Sequence, residues 1–228
     1  MGRIPSSPSI GYTFGPGPLT PAVKAIVYLN IAVFVVMLVI PSLMSWVGLI
    51  PELVLTRGFV WQIATYQFVH TEPFHLLINM LTVWMFGVDL ERRWGTVAFA
   101  KYYLIVGTTA GVATVVVSLL PMAWAQMSYS AVTIGASGAG YGLLMAWGIV
   151  FPHRTVHLLG IFPLKARVFV LIIGAISLSQ AVSSGGNSGI AHVAHLGGLL
   201  AGWLYLKTPR PRASPPPPRR PDYIRRVH

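Results

Sequence analysis

An all-α membrane protein, folded as a bundle of six transmembrane helices, is the class this sequence predicts. Three observations carry that expectation. Only 9% of the 228 residues are charged while 54% are hydrophobic, and mean hydropathy is +0.68, well off the balance of a soluble domain. The apolar residues come in long blocks rather than at helical or strand spacing, which points to lipid as the solvent. The basic residues gather at alternate connections between those blocks, as membrane topology requires.

Taken in chain order, residues 1–20 carry repeated Gly, Pro and Ser (Pro5, Pro8, Gly15, Pro16, Gly17, Pro18) and read as a flexible cytoplasmic leader. No apolar core follows a charged start before Pro21, so this is no signal peptide. The helical domain is expected over residues 21–207, with apolar blocks at about Ala22–Ile40, His75–Asp89, Val97–Leu120, Ala136–Phe151, Arg167–Val182 and Gly189–Leu206. Several are shorter than the ~20 residues that span a bilayer core, which a helix tolerates if it starts inside the protein rather than in lipid.

Orientation follows from the connections. Arg92, Arg93 and Lys101 lie between the second and third blocks, Arg154, Lys165 and Arg167 between the fourth and fifth, and Lys207 after the sixth. Pro121–Gly135 and Ser183–Ser188 carry no charge. Both termini are therefore expected in the cytoplasm, with the second, fourth and sixth helices running inward from outside. The long outer segment Ser42–Phe74 holds Trp46, Phe59 and Trp61; an ordinary loop with interfacial aromatics and a segment dipping into the interface fit it equally. Residues 208–228, with Pro215–Pro218 and a run of arginines, read as a disordered tail attracted to anionic lipid headgroups. The net charge of +11 does not imply nucleic acid, because it sits beside the apolar blocks and no aromatic-basic groove accompanies it. Cysteine is absent, which removes disulfides and thiolate metal sites.

Polar residues inside membrane segments are expensive and need a reason. Here they cluster. Ser137 opens the fourth helix within Gly135-Ala136-Ser137-Gly138, His192 and His195 lie in the first turns of the sixth, and His75 and Asn79 in the first turns of the second. All three helices run inward, so these side chains share one depth near the outer leaflet. Gly138 and Gly142 form a small-xxx-small face, as do Gly198 and Gly202; such faces let backbones approach closely in lipid. A close crossing brings the Ser137 hydroxyl beside the His195 imidazole, the base a serine needs in order to attack. The bland reading makes Ser137 a helix cap and the glycines mere packing; the matching depth of His195 outweighs it. Asp89 is ~15 Å along the helix from Asn79, so a dyad rather than a triad is expected. Tyr141, one turn after Ser137, is placed to orient His195 by stacking. Asn79, His75 and the Ser137 backbone N–H are the oxyanion donors available at the helix N-terminus. Four histidines (His70, His75, His192, His195) raise a metal site, but the His-Glu-x-x-His pattern is missing, so none is expected; His192 reads as a neighbour in a water-filled cavity.

At these residues the chain resembles the rhomboid family of intramembrane serine proteases, over about Trp61 to Leu206. Gly135-Ala136-Ser137-Gly138 is similar to the family's Gly-x-Ser-Gly, which implies Ser137 as nucleophile. Ala194-His195-Leu196-Gly197-Gly198 with Gly202 is similar to its Ala-His-x-x-Gly-x-x-x-Gly, implying His195 as general base and acid. His75-Leu76-Leu77-Ile78-Asn79 resembles its His-x-x-x-Asn, implying oxyanion roles. His70 fits a structural histidine under the first outer loop, Glu91 and Gly95 the Glu-x-x-x-Gly closing the second helix, and Tyr141 the tyrosine beneath the catalytic histidine. Trp61-Gln62 stands where the family has Trp-Arg, a departure that bears on the structure of the outer loop.

The resemblance implies the basic six-helix rhomboid-like bundle, while loop charge points to a bacterial-type inner membrane, with an organelle membrane as the alternative. The resemblance also implies hydrolysis, without cofactor, of transmembrane substrates that must unwind locally to expose a carbonyl. Ser183–Gly189 is an outer loop that serves either as a lid or as a plain connection. Two rival functions differ from this one. A non-catalytic relative that binds transmembrane clients would lack Ser137 or His195, and a transporter would carry buried membrane charge near the site.

Overall fold

The computed structural model describes residues 15–158, 162–183 and 189–208. The chain is mostly helical: α1 (Pro21–Val39), then four short turns of helix in the first outer segment, a 3₁₀ turn at Pro41–Leu43, α2 (Met44–Val47), α3 (Pro51–Arg57) and α4 (Gln62–Thr65), the last running into a 3₁₀ turn at Tyr66–Phe68. There follow α5 (Pro73–Trp94), α6 (Thr96–Ser118), α7 (Ala123–Met127), α8 (Ser137–Val150), α9 (Ala166–Ser183) and α10 (Gly189–Lys207). By length and apolar composition α1, α5 and α6 are able to cross a membrane, whereas α8 and the Ala166–Gln180 stretch are shorter apolar helices.

One element corrects the all-α expectation. β1 (Thr155–Leu158) and β2 (Phe162–Lys165) pair antiparallel, with Thr155 opposite Lys165 and Leu158 opposite Phe162. The connection between α8 and α9 is too polar at Arg154 and Lys165 to continue either helix through lipid. A two-stranded ribbon satisfies its backbone groups internally instead.

Helix ends follow local chemistry. Pro21 and Pro73 sit in the first turns of α1 and α5, where a missing N–H is harmless. Gly95, at φ +85°, stops α5 and starts α6, a conformation that a Cβ would strain. The N-terminus of α1 is capped from a distance. The buried Glu91 carboxylate of α5 accepts from the backbone N–H of Ala22 (2.9 Å) and Val23 (3.0 Å), and from the hydroxyls of Thr20 and Thr96. The leader residues nearest this point are held too: the Trp84 indole donates to the Gly17 carbonyl, and Arg92 to that of Pro16.

Within the bundle α8, α10 and α6 pack on one another, α5 lies against α8 with α1 behind it, and α9 closes the other side against α10 and α8. The interior holds Tyr102, Tyr103, Phe99, Val106 and Leu143, all fully buried. Outward, Val39, Leu77, Val116, Leu171 and Leu200 are among many exposed apolar side chains. So broad an apolar exterior is what a bilayer covers.

Candidate active site

The nucleophile candidate is placed by its backbone. Gly135 takes φ +107° immediately before α8, which turns the chain sharply into the helix that Ser137 begins. This approach is pinned by the first outer segment. Leu49 and Thr133 exchange backbone bonds of 3.0 and 2.8 Å, Glu52 N–H donates to the Tyr129 carbonyl, and Gly135 N–H donates to that of Tyr66. Ala136 N–H reaches His70 Nε2 at 3.4 Å. His70 is therefore neutral at Nε2 and is completely buried; burial first, and the neighbouring His75 second, lower its pKa to about 4.

α8 and α10 touch backbone to backbone. A methyl on Gly198 would lie 2.0 Å from the Gly138 carbonyl oxygen, and one on Gly202 would lie 3.1 Å from that of Gly142. Gly138 in turn faces the Ala194 carbonyl. The residue after Ser137 is thus in contact with the residue before His195. One turn on, the Tyr141 ring stacks on the His195 imidazole, with centroids 4.1 Å apart and planes 7° from parallel. Ser177 on α9, itself fully buried, donates its hydroxyl to the Tyr141 oxygen at 3.0 Å. His192 meets His195 edge-on at 5.6 Å. Among the described residues, the buried His195 Nδ1 has no hydrogen-bond partner.

The acidic side chains of α5 are engaged elsewhere. Asp89 pairs with Arg154 and accepts from the Trp147 indole at 3.2 Å, and Glu91 caps α1.

On the other flank of Ser137, His75 and Asn79 close on the turn before it. A methyl on Gly135 would lie 2.8 Å from His75 Nε2 and 3.7 Å from Asn79 Nδ2. The Asn79 amide also donates to the His75 carbonyl at 3.0 Å, and His70 meets the His75 ring at 5.0 Å. The structure therefore gathers Ser137, Tyr141 and His195 with the glycines Gly138, Gly198 and Gly202 on one side. It gathers His75, Asn79 and Gly135 on the other, with His70 beneath. Sequence reasoning missed Ser177 and the Tyr66 carbonyl. A lone hydroxyl inside an apolar helix was the available signal for the first; the second is a backbone contact between distant segments and left none. Residues 184–188, within the expected lid, and the tail beyond Thr208 lie outside the described residues.

The family model for the Rhomboid domain matches residues 57–211. The chain belongs to the rhomboid family. It is 31% identical over 138 residues to "Rhomboid protein 1, mitochondrial" of Saccharomyces cerevisiae, covering 60% of this chain and 38% of that one. To "Rhomboid protease GluP" of Bacillus subtilis it is 30% identical over 150 residues, covering 66% of this chain and 26% of that protein. With "Rhomboid-like protease 3" of Toxoplasma gondii the figures are 26% over 147 residues, 63% and 49%. The aligned part thus spans about a quarter to a half of the length of these relatives.

Proposed function

We propose that this rhomboid-family chain is an intramembrane serine endopeptidase that cleaves transmembrane segments of other proteins with a Ser137–His195 dyad. The observation that carries the reading is the Tyr141–His195 stack on the helix that Ser137 begins. It fixes the imidazole against the nucleophile's own helix, with no acid required.

In the reaction the Ser137 Oγ attacks the scissile carbonyl carbon as its proton passes to His195. The oxygen of that carbonyl becomes an oxyanion, held by the Asn79 amide, His75 Nε2 and the backbone N–H at the start of α8, where the helix dipole favours negative charge. Collapse breaks the C–N bond, and His195 returns its proton to the leaving amine. Water, deprotonated by His195, then releases the acyl group and regenerates Ser137. The close approach of His75 and Asn79 to Gly135, two residues before Ser137, supports these roles.

Six long helices, α1, α5, α6, α8, α9 and α10, form the membrane domain in this reading, with both termini cytoplasmic in a bacterial-type inner membrane. The alternating loop charge supports that orientation. α8, with 14 residues, is about 21 Å long, shorter than the ~30 Å hydrocarbon core. Ser137 then begins below the outer surface, where a substrate helix must unwind. The basic tail beyond residue 208 adds attraction to anionic headgroups.

The test is cleavage of a single-span substrate in proteoliposomes by the wild type, Ser137→Ala and His195→Ala, with fluorophosphonate labelling of Ser137 in parallel. Cleavage and labelling by the wild type alone are expected. Cleavage that persists in both variants refutes the dyad.

A further inference from the structure

We propose that Gln62 is a positioning residue for the nucleophile, and that it must be a glutamine because the site needs a donor and an acceptor on one neutral side chain. Gln62 is completely buried in α4. Its Oε1 accepts from Ile50 N–H at 3.0 Å, while its Nε2 donates to the carbonyls of Ser45 (2.8 Å) and Trp46 (3.5 Å). Its helix neighbours reach the same turn by donation alone: the Trp61 indole bonds the Trp46 carbonyl, and the Thr65 hydroxyl that of Val47. Only Gln62 among these three reaches forward to residue 50.

That forward bond matters because of what adjoins it. Leu49 exchanges two backbone bonds with Thr133, and Glu52 N–H bonds Tyr129, so Ile50 sits inside the ladder that holds residues 129–133. Two residues past Thr133 is the Gly135 turn, and two further is Ser137. At its own end α4 runs directly into Tyr66, whose carbonyl takes the Gly135 N–H. Gln62 therefore fixes both rails that carry the approach to the nucleophile, the 49–52 edge and the α4–Tyr66 edge.

Arginine, the residue of the family pattern at this position, cannot do this. A guanidinium offers five donors and no acceptor, so it would leave Ile50 N–H facing a cation. An unpaired buried backbone group is costly, and the 49–52 edge would shift away. The expected loss is in chemistry rather than in substrate capture, because the ladder governs Ser137 and not the lipid-facing surface.

The inference rests on the protease reading, so the experiment separates the two. Backbone amide exchange at Ile50, Leu49 and Thr133 is compared among wild type, Gln62→Met, Gln62→Arg and Gln62→Glu; kcat, counted per fluorophosphonate-labelled Ser137, and KM are measured on the same samples. Exchange at these three amides should quicken about tenfold in Gln62→Met and Gln62→Arg. The per-site kcat should fall about tenfold with KM within about twofold. Gln62→Glu keeps the volume and, when protonated, both an acceptor and one donor. Its kcat relative to wild type should rise as pH is lowered from about 8 to about 5, and it carries the test if Gln62→Met does not fold.

Wild-type exchange and per-site kcat in Gln62→Arg would overturn the proposal, as would faster exchange confined to Ile50 with Thr133 unmoved. A per-site kcat equal to wild type, with only the labelled fraction reduced, would make Gln62 a stability residue and nothing more. Absence of wild-type cleavage and labelling would count against the protease reading, while the exchange pattern would still decide whether Gln62 holds the 49–52 edge against residues 129–133.

Discussion

Gly198→Ala is the smallest change that tests the α8–α10 contact as the device aligning serine and histidine. The added methyl would lie 2.0 Å from the Gly138 carbonyl oxygen, 2.9 Å from its carbonyl carbon and 3.3 Å from its Cα. A carbon meets a carbonyl oxygen comfortably at about 3.3–3.6 Å, so the two helices must separate by roughly 1.3 Å or more. The obstacle is backbone on both sides, so no rotamer change relieves it. Overpacking of this kind costs about 1–3 kcal/mol of stability.

The larger effect is on the reaction. His195 stands one turn before Gly198 on α10, and Ser137 stands next to Gly138 on α8, so the gap opens where the proposed dyad would pass its proton. A misplacement of about 1 Å costs on the order of a hundredfold in rate. The assay is turnover of a single-span substrate in proteoliposomes, with thermal unfolding of the same preparation. Gly174→Ala on α9 is the control, because its methyl meets only Leu199 Cδ1 at 3.4 Å and should leave both measurements near wild type. Turnover by Gly198→Ala within about threefold of wild type would refute the alignment argument, since a kcat change that small is under 1 kcal/mol.

Other outcomes follow from the same geometry. Asn79→Ala should lower kcat by about 10²–10³ with little change in KM, as loss of one oxyanion donor does; an unchanged kcat would remove Asn79 from that role. Tyr141→Ala should reduce turnover more than Tyr141→Phe, because the stack survives in Phe and only the Ser177 bond is lost; equal losses would show that the bond, not the stack, holds His195. His70 is held neutral with a pKa near 4 against an ordinary value of about 6.5. Between those values the unfolded chain binds more protons, so stability is intact above about pH 6.5 and falls as pH drops toward 4, by at most about 3 kcal/mol. His70→Gln keeps an acceptor for Ala136 N–H and should flatten that acid slope in melting curves; an identical slope would assign it to other groups. Exchanging Arg154 for Ala should leave cleavage untouched, since it pairs with Asp89 at the opposite end of α8 from Ser137; a lost activity would show coupling along the helix.

Much of the architecture was legible because lipid imposes simple rules on composition. The blocks read from residues 22–40 and 97–120 became α1 and α6 within a residue or two, since apolar length and flanking Pro and Gly decide helix ends in a membrane. The backbone contact between α8 and α10 was legible for a similar reason: glycines at four-residue spacing announce where backbones touch. The β1–β2 ribbon was not, because its strands are four residues each and mix proline, histidine and lysine with apolar residues, leaving no clean alternation. The hold of the outer segment on residues 129–135 was equally hidden, being made of backbone bonds between stretches about seventy to eighty residues apart. Gln62 showed itself only as an exception to a pattern. Its meaning required knowing that an N–H at residue 50 waited for an acceptor.

The capping of α1 by Glu91 has a consequence for how the chain is made. Synthesis delivers α1 before α5, and the amides of Ala22 and Val23 have no carboxylate to meet until Glu91 has been added, 69 and 68 residues later. Until then the helix start must stay hydrated or borrow lipid headgroups, so the placement of α1 is provisional. Arrival of Glu91 converts a lone hydrophobic hairpin into a latched pair, and Thr96 completes the latch just as the third long helix begins. Ribosome-stalled chains halted on either side of Glu91 should therefore differ in how readily α1 is extracted from the membrane. The bundle would thus be assembled around a clasp that closes mid-translation, before either Ser137 or His195 exists.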